Sequence, residues 1–437
     1  MLNQLGGIPV NSDSVSWLLK PENFREQLIS QIKNAKQSIY LSALYLEDDE
    51  AGREVLKTVL AAKQASPELD VKIFVDFHRA RRGLIGHKGD GGNYHMYREM
   101  ISQAQIPIEI FGVPVKSKEF LGVLHLKGFI IDDTVLFSGA SLNNIYLHLG
   151  DKYRFDRYHV INNKALAQSM RHFLQTVLVT DAAVTSLTQE RGKETLPTRK
   201  QIRSLKRKLS TTDYQFDGVT TGLRITPSVG LGRRRNSLNG IVVSMVKEAK
   251  DSMFICTPYF NPPYALTRAI IKQLRNGKKV DIIVGDKTAN DFYIPPEQEF
   301  STIGAVPYIY EQSLRKFVKK QQWAIDSGLL NVHLWKHEHH SFHLKGMSVD
   351  NQYHLITGSN LNPRAWALDL ENGLLIHDED KTLSEKFSQE QQHILEHTQR
   401  LYHYSQLESA DVYPAGVKKI LNRIKRLKAD FILRRIL

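Results

Sequence analysis

The chain has 437 residues, enough for two domains with substantial cores, and its 41% hydrophobic content is that of a globular protein rather than a disordered one. Lys and Arg number 59 against 46 Asp and Glu, a net charge of +13 that favours phosphate-rich partners. The single cysteine, Cys256, excludes an internal disulfide, and the lack of any run of 18 apolar residues excludes a spanning helix. The start, MLNQLGGIPV, has neither a basic n-region nor an apolar h-region, so no secretory leader is expected and a reducing cytoplasm is.

Residues 1–20 read as an irregular lead-in, and alternation then begins. In a first lobe, 21–190, SIYLSALYL (38–46) is strand-like and REVLKTVLAAKQ (53–64) helix-like. VKIFVDF (71–77) is a strand, GGNYHMYREMISQA (91–104) a helix, and IPIEIFGV (106–113) and VLHLKGFIID (123–132) are strands again. A basic linker, 191–235, follows; it holds RKQIRSLKRK (199–208), with six Lys/Arg in ten, and GLGRRRN (230–236). In the second lobe, 236–400, SMFICTPYF (252–260) mirrors SIYLSALYL. ALTRAIIKQLRNG (265–277) is a helix with a glycine stop, KVDIIVGD (279–286) mirrors VKIFVDF, and NVHLWK (331–336) is a further strand. The pattern predicts two similar α/β sandwich lobes.

The last segment, 401–437, is basic and amphipathic. Residues 416–437 hold eight Lys/Arg and one Asp. Apolar residues at 417, 420, 421, 424, 427 and 431 share one helical face, with Lys418, Lys419, Arg423, Lys425, Arg426 and Lys428 on the remainder. Such a helix is expected to lie on an anionic membrane; the alternative is packing on the protein body with a solvated basic face. The same charge would attract nucleic acid or ribosomes non-specifically. RKQIRSLKRK reads equally as a second membrane contact or as a solvated linker helix.

One short pattern occurs twice, 218 residues apart: HLKGFIID (125–132) and HLKGMSVD (343–350), each trailed by a small-residue turn ending in Asn, GASLN (139–143) and GSNLN (358–362). A repeat at half the chain length indicates fused, similar lobes. On a strand, His125 and Lys127 share a face, as do His343 and Lys345. Two such faces brought together would form one pocket with two imidazoles and two ammoniums, which suits a phosphodiester without a metal. One imidazole attacks phosphorus, and the other handles the leaving and entering oxygens. The lysines with Asn143, Ser359 and Asn362 would stabilise the equatorial oxygens. Aligning FDRYHVI (155–161) with LENGLLI (370–376) pairs Asp156 with Glu371. Either acid would fix an imidazole tautomer, in its own or the facing lobe. Asp132 and Asp350 are assigned to structure.

These are the paired HKD motifs, and the chain resembles the phospholipase D superfamily. It departs from the pattern at Ala140, where the family usually has Ser, and in one extra residue before Gly358. FHRARRGLIG (77–86), LGVLHLKGFIIDD (121–133), DKYRFDRYH (151–159), GDKTANDFYIP (285–295) and LNPRAWALDLEN (361–372) narrow the likeness to the bacterial CDP-diacylglycerol–serine O-phosphatidyltransferases of that superfamily. The resemblance implies phosphatidyl transfer from CDP-diacylglycerol to L-serine through a phosphatidyl-enzyme. It also implies no divalent metal or other cofactor, and a cytoplasmic enzyme bound peripherally to the inner membrane face. His125 is favoured as nucleophile and His343 as acid/base. Another phosphatidyltransferase or phospholipase D of the superfamily is the alternative reading, with a nuclease behind it.

Arg79, Arg81 and Arg82 follow a strand end, where α/β proteins place ligand loops, and would either grip the CDP pyrophosphate or form a plain surface loop. Asp286, Lys287, Asn290 and Tyr293 follow the equivalent strand of the second lobe and are candidates for substrate recognition. GLGRRRN reads as a phosphate cradle or as a loop opening the second lobe. His337, His339 and His340 fail the His-Glu-x-x-His pattern, because position 341 is Ser, and are expected to form a polar loop rather than a metal site.

Overall fold

A computed structural model describes residues 1–82, 91–189, 196–295 and 297–426. Each lobe is built on three parallel strands and an antiparallel hairpin. In the first, Ser38–Ser42, Asp70–Asp76 and Glu109–Val113 run parallel, and Gly128–Ile131 and Thr134–Ser138 continue the sheet. In the second, Ser252–Thr257, Lys279–Gly285 and Leu330–Trp335 are parallel, and Gly346–Val349 and Tyr353–Thr357 form the hairpin. Helices cover the faces of these strands, which is why Ser38–Ser42 is buried at all five positions and reads as a continuous run. Local signals start the helices: Asp49 accepts from the Gly52 amide, and Asn236 accepts from the Asn239 amide.

Two predicted boundaries shift. The lead-in is not irregular: Ile8–Pro9 pairs with Arg224–Leu231 at the edge of the second sheet, and Val15–Leu18 pairs with Tyr158–Asn162 at the edge of the first. The basic linker contains Arg224–Leu231, which is buried throughout and pairs over eight residues with Leu370–His377, so the second sheet begins inside it. Its unbroken burial removes the alternation that marks a half-exposed strand. Arg199–Leu209 is a helix with a Thr198–Gln201 capping box; Ile202, Leu205 and Leu209 face inward, while Arg199, Lys200, Arg203, Lys206 and Arg207 are exposed. GLGRRRN ends that strand and supplies the Asn236 cap, so it opens the helix Ser237–Glu248.

The lobes meet through two short parallel pairs. Leu124–His125 lies beside Leu370–Glu371, and Arg154–Phe155 beside Ser341–Phe342. One hydrophobic core runs through the seam, uniting Leu124, Leu126 and Phe137 with Ile356, Leu370 and Leu374.

The C-terminal helix Ala415–Arg426 packs on the protein body, one of the two placements expected for it. Val417 and Leu421 are buried against Tyr308, Ile309 and Tyr413, with Ile424 alongside, so this part of the apolar stripe covers protein. Lys419, Arg423 and Arg426 are exposed, and Lys418 is half-buried. Residues 427–437, including Lys428, lie outside the described residues, as does the Lys425 side chain. Among the described residues no helix is long and apolar enough to cross a membrane.

Candidate active site

Each motif histidine is held by an acid from the other lobe. His125 Nδ1 lies 2.8 Å from Glu371 Oε2, and His343 Nδ1 lies 2.8 Å from Asp156 Oδ2. The parallel seam pairs set this register: Glu371 is the partner of His125, and the His343 amide donates to the Phe155 carbonyl at 2.8 Å, next to Asp156. Both acids therefore serve the facing lobe. The carboxylates accept Nδ1–H, which leaves Nε2 as the reactive nitrogen of each ring.

The lysines differ. Lys345 Nζ donates to Asp156 Oδ2 at 3.0 Å and contacts His343. Lys127 Nζ donates to the Ala140 carbonyl at 3.1 Å and to Ser141 Oγ at 3.2 Å. Ser141 thus supplies the hydroxyl that Ala140 lacks, one residue later. The glycines of the trailing turns permit this crowding. A Cβ on Gly139 would sit 2.6 Å from Asp156 Oδ2 and 2.8 Å from Lys345 Nζ, and one on Gly358 would sit 2.6 Å from Lys127 Cγ. Each turn is pressed against the other lobe's motif, so both halves close on one pocket.

Burial, then the Lys127 charge, holds His125 well below the ordinary imidazole value. Burial and Lys345 take His343 down to about 3, against the pull of Asp156. Lys127 falls to about 7 through burial and repulsion by Lys345, and burial lowers Lys345 as well. The acids part company. Burial raises the Asp156 carboxyl, but Lys345 and His343 outweigh it and take it down to about 2. Glu371 hydrogen-bonds to no lysine among the described residues, and burial outweighs the pull of Lys127 and Lys345 and pushes it up to about 8. Four basic groups thus share a dry pocket in which an anionic phosphodiester would relieve their repulsion.

Asp132 and Asp350 stand away from the chemistry, in turns with φ of 50° and 56°. Asp132 accepts from the amides of Lys36, Gln37 and Ser38, and Asp350 from those of Lys250, Asp251 and Ser252. Asn143 Oδ1 accepts from the Tyr146 amide, Asn362 Oδ1 caps Pro363–Ala367, and the buried Ser359 accepts from the Leu361 amide.

The arginines of the first ligand loop are engaged. Arg79 lies 3.4 Å from Glu47 and over the Tyr45 ring, Arg81 lies over Phe77 and Tyr94, and Arg82 pairs with Glu119. Asp76 ties this loop to the motif by accepting from both the Arg79 and Leu124 amides. In the second lobe, Asp286 accepts from Thr288, Asn290 from the Phe292 amide, Lys287 pairs with Glu311 and Glu408, and Tyr293 packs beside Tyr308. Asp286, Lys287 and Asn290 line a cleft with Pro258 and Tyr310. His337 and His339 hydrogen-bond to Tyr153 and Asp151, and the His340 ring stacks on Tyr153, so these histidines dock the loop on the first lobe.

Several residues at the site escaped the sequence reading. Tyr146 OH lies 3.0 and 3.2 Å from the two nitrogens of His343, and Arg154, Asp291 and Tyr259 cluster behind it. Beside His125, Arg364 pairs with Asp369 at 3.0 Å. The segments holding Arg154, Asp291, Arg364 and Asp369 carried the family resemblance, but nothing in local spacing brings 154 to 291.

The family model for the cardiolipin synthase, PLD-like domain matches residues 28–177 and 242–395, one match per lobe. The chain is 44% identical to the CDP-diacylglycerol–serine O-phosphatidyltransferase of Haemophilus influenzae, over 100% of this chain and 97% of that one. It is also 44% identical to the Escherichia coli enzyme of that name, with the same coverage. It superposes on the crystal structure of phosphatidylserine synthase from H. influenzae with a TM-score of 0.97, covering 100% of this chain and 98% of the other. A Porphyromonas gingivalis polyphosphate kinase, 10% identical with a TM-score of 0.51 over 52% of its length, shares the fold alone. The chain belongs to the phospholipase D-like superfamily and, within it, to the CDP-diacylglycerol–serine O-phosphatidyltransferases.

Proposed function

We propose that the chain transfers the phosphatidyl group of CDP-diacylglycerol to L-serine, giving phosphatidylserine and CMP, by two displacements at one phosphorus. The observation that carries the mechanism is the crossed pairing, with each motif histidine bonded through Nδ1 at 2.8 Å to the other lobe's acid. In the first step the Nε2 lone pair of His125 attacks phosphorus, and the bond to the CMP oxygen breaks. CMP leaves as a weakly basic phosphate, so its departure asks little of a general acid. The proton stays on Nδ1 of His125, hydrogen-bonded to Glu371, which steadies the cationic ring that forms.

In the second step the serine hydroxyl gives its proton to Nε2 of neutral His343 and attacks phosphorus, and the bond to His125 breaks. Asp156 steadies the imidazolium that forms. Lys127 and Lys345 offset the charge on the equatorial oxygens, and removing one such donor costs about 3–4 kcal/mol of barrier. The test is covalent trapping with labelled CDP-diacylglycerol in His125→Ala and His343→Ala proteins. Label on the His343→Ala protein alone is expected; label retained by His125→Ala reverses the assignment.

The lipid substrate requires docking at a membrane from the cytoplasmic side. The exposed basic side chains of Arg199–Leu209 and the Lys419, Arg423 and Arg426 face of the C-terminal helix supply attraction to an anionic surface, each charge contributing about 1 kcal/mol. Co-sedimentation with phosphatidylglycerol vesicles should fall steeply with added salt. Salt-independent binding would point to apolar insertion instead.

A further inference from the structure

We propose that Arg154 and Asp291 form the clamp that recognises the acceptor: Asp291 takes the α-ammonium and Arg154 the α-carboxylate of L-serine, presenting its hydroxyl to His343. This inference rests on the transfer reaction proposed above and extends it to the choice of acceptor.

The geometry of the pair sets it apart from other ion pairs in the molecule. Arg157 meets Glu390 through two nitrogens, at 2.9 and 2.5 Å. Arg364 holds Asp369 while donating to the carbonyls of Glu119 and Phe120, and Asp369 also accepts from the Val123 amide. Both are saturated, as structural pairs are. Arg154 comes closest to Asp291 through Nε, 3.0 Å from Oδ1, and that contact lacks hydrogen-bond alignment. Among the described residues Asp291 Oδ1 is buried with no hydrogen-bond donor, although Tyr259 OH donates to Oδ2 at 2.7 Å. Arg154 Nε also lies 3.4 Å from Ser341 Oγ, and its terminal nitrogens have no hydrogen-bond partner among the described residues. A buried carboxylate oxygen without a hydrogen-bond donor thus lies beside a guanidinium whose terminal nitrogens are not taken by protein groups among the described residues. Leaving such groups unpaired is costly, and a zwitterion satisfies both at once without adding net charge.

The position is the one the chemistry requires. In both displacements the group entering or leaving stands in line with His125, on the opposite side of phosphorus, so CMP and serine use the same face in turn. That face belongs to His343. Arg154 stacks on the Tyr146 ring at 4.7 Å, Tyr146 OH touches the His343 ring, and the Tyr259 ring lies 6.3 Å from it. The tyrosines wall the clamp and favour a small acceptor over a bulky glycerol lipid. A buried site built for two opposite charges rejects an acceptor lacking either one strongly, as sites with dedicated polar partners do.

The test compares acceptors on the unaltered protein, following CMP release from CDP-diacylglycerol in mixed micelles. L-Serine should exceed ethanolamine, which lacks the carboxylate, and 3-hydroxypropanoate, which lacks the ammonium, by about 100-fold each in kcat/KM. Arg154→Gln should collapse the serine-to-ethanolamine ratio, and Asp291→Asn the serine-to-3-hydroxypropanoate ratio. A ratio taken within one preparation does not depend on how much of it is folded. If both variants slow all three acceptors equally, or if the unaltered protein uses the three alike, the clamp is wrong while the transferase reading stands. If L-serine does not accelerate CMP release at all, that reading falls and the clamp with it.

Discussion

The two acids that hold the histidines look interchangeable by symmetry, yet their surroundings predict different responses to neutralisation. Asp156 accepts from His343 at 2.8 Å and from Lys345 at 3.0 Å, both in a dry interior. Asp156→Asn would strip the counter-charge from a buried ammonium, and breaking a buried pair in this way costs about 3–5 kcal/mol. Among the described residues Glu371 hydrogen-bonds only to His125, and burial pushes it up to about 8, so its charge adds little to stability near neutral pH. Glu371→Gln removes that charge while leaving an oxygen to accept from His125, and should cost about 1 kcal/mol. Urea unfolding at pH 7, followed by tryptophan fluorescence, measures both. CMP release should nonetheless fall about 1,000-fold or more in each variant, because an amide no longer fixes the tautomer. A larger loss of stability in Glu371→Gln than in Asp156→Asn would refute the asymmetry. The pH dependence gives an independent check. The Asp156 carboxyl, lowered to about 2 from an unfolded value near 3.9, contributes roughly 2 kcal/mol. That stability is present above about pH 4 and is lost as pH falls towards 2. Glu371 is shifted the other way, so Glu371→Gln should gain stability relative to the unaltered protein as pH rises from about 4.3 to about 8.

Other outcomes follow from the same contacts. Gly139→Ala places a methyl 2.6 Å from Asp156 Oδ2 and 2.8 Å from Lys345 Nζ, and should abolish CMP release while the far-UV circular dichroism is kept. Activity near that of the unaltered protein would mean that the seam yields more easily than its packing implies. Asp350→Ala leaves three backbone amides without their acceptor and should cost about 2–3 kcal/mol in urea, with kcat of the folded protein changed less than threefold. A large fall in kcat at full stability would move Asp350 into the chemistry. Tyr146→Phe removes the hydroxyl beside His343 and should slow CMP release about tenfold with the fold intact, read by single-turnover kinetics.

The elements that could be read along the chain are those with local signals. The duplicated His-x-Lys strands and the mirrored pairs SIYLSALYL/SMFICTPYF and VKIFVDF/KVDIIVGD gave the α/β lobes, and the alignment of Asp156 with Glu371 gave the acids. Which histidine each acid would serve stayed open, because the answer lies in how Leu124–His125 docks beside Leu370–Glu371, a contact 246 residues apart. Arg154 and Asp291 were hidden for the same reason. Arg224–Leu231 reads as linker because a strand buried at every position, among basic neighbours, shows no period. The C-terminal stripe was real, but an apolar face does not say whether protein or lipid will cover it, and here Tyr308 and Tyr413 do over its first turns.

The crossed seam makes catalytic competence a property of the whole chain. Either half, expressed alone, would fold a histidine whose Nδ1 has no carboxylate to meet it. Because neighbouring side chains on a strand point to opposite sides, a slip of one residue where the halves meet would turn both acids away together. Co-expressed halves should therefore regain activity only by reassembling, and substitutions along the two joining strands should be tolerated only where they leave that alignment untouched.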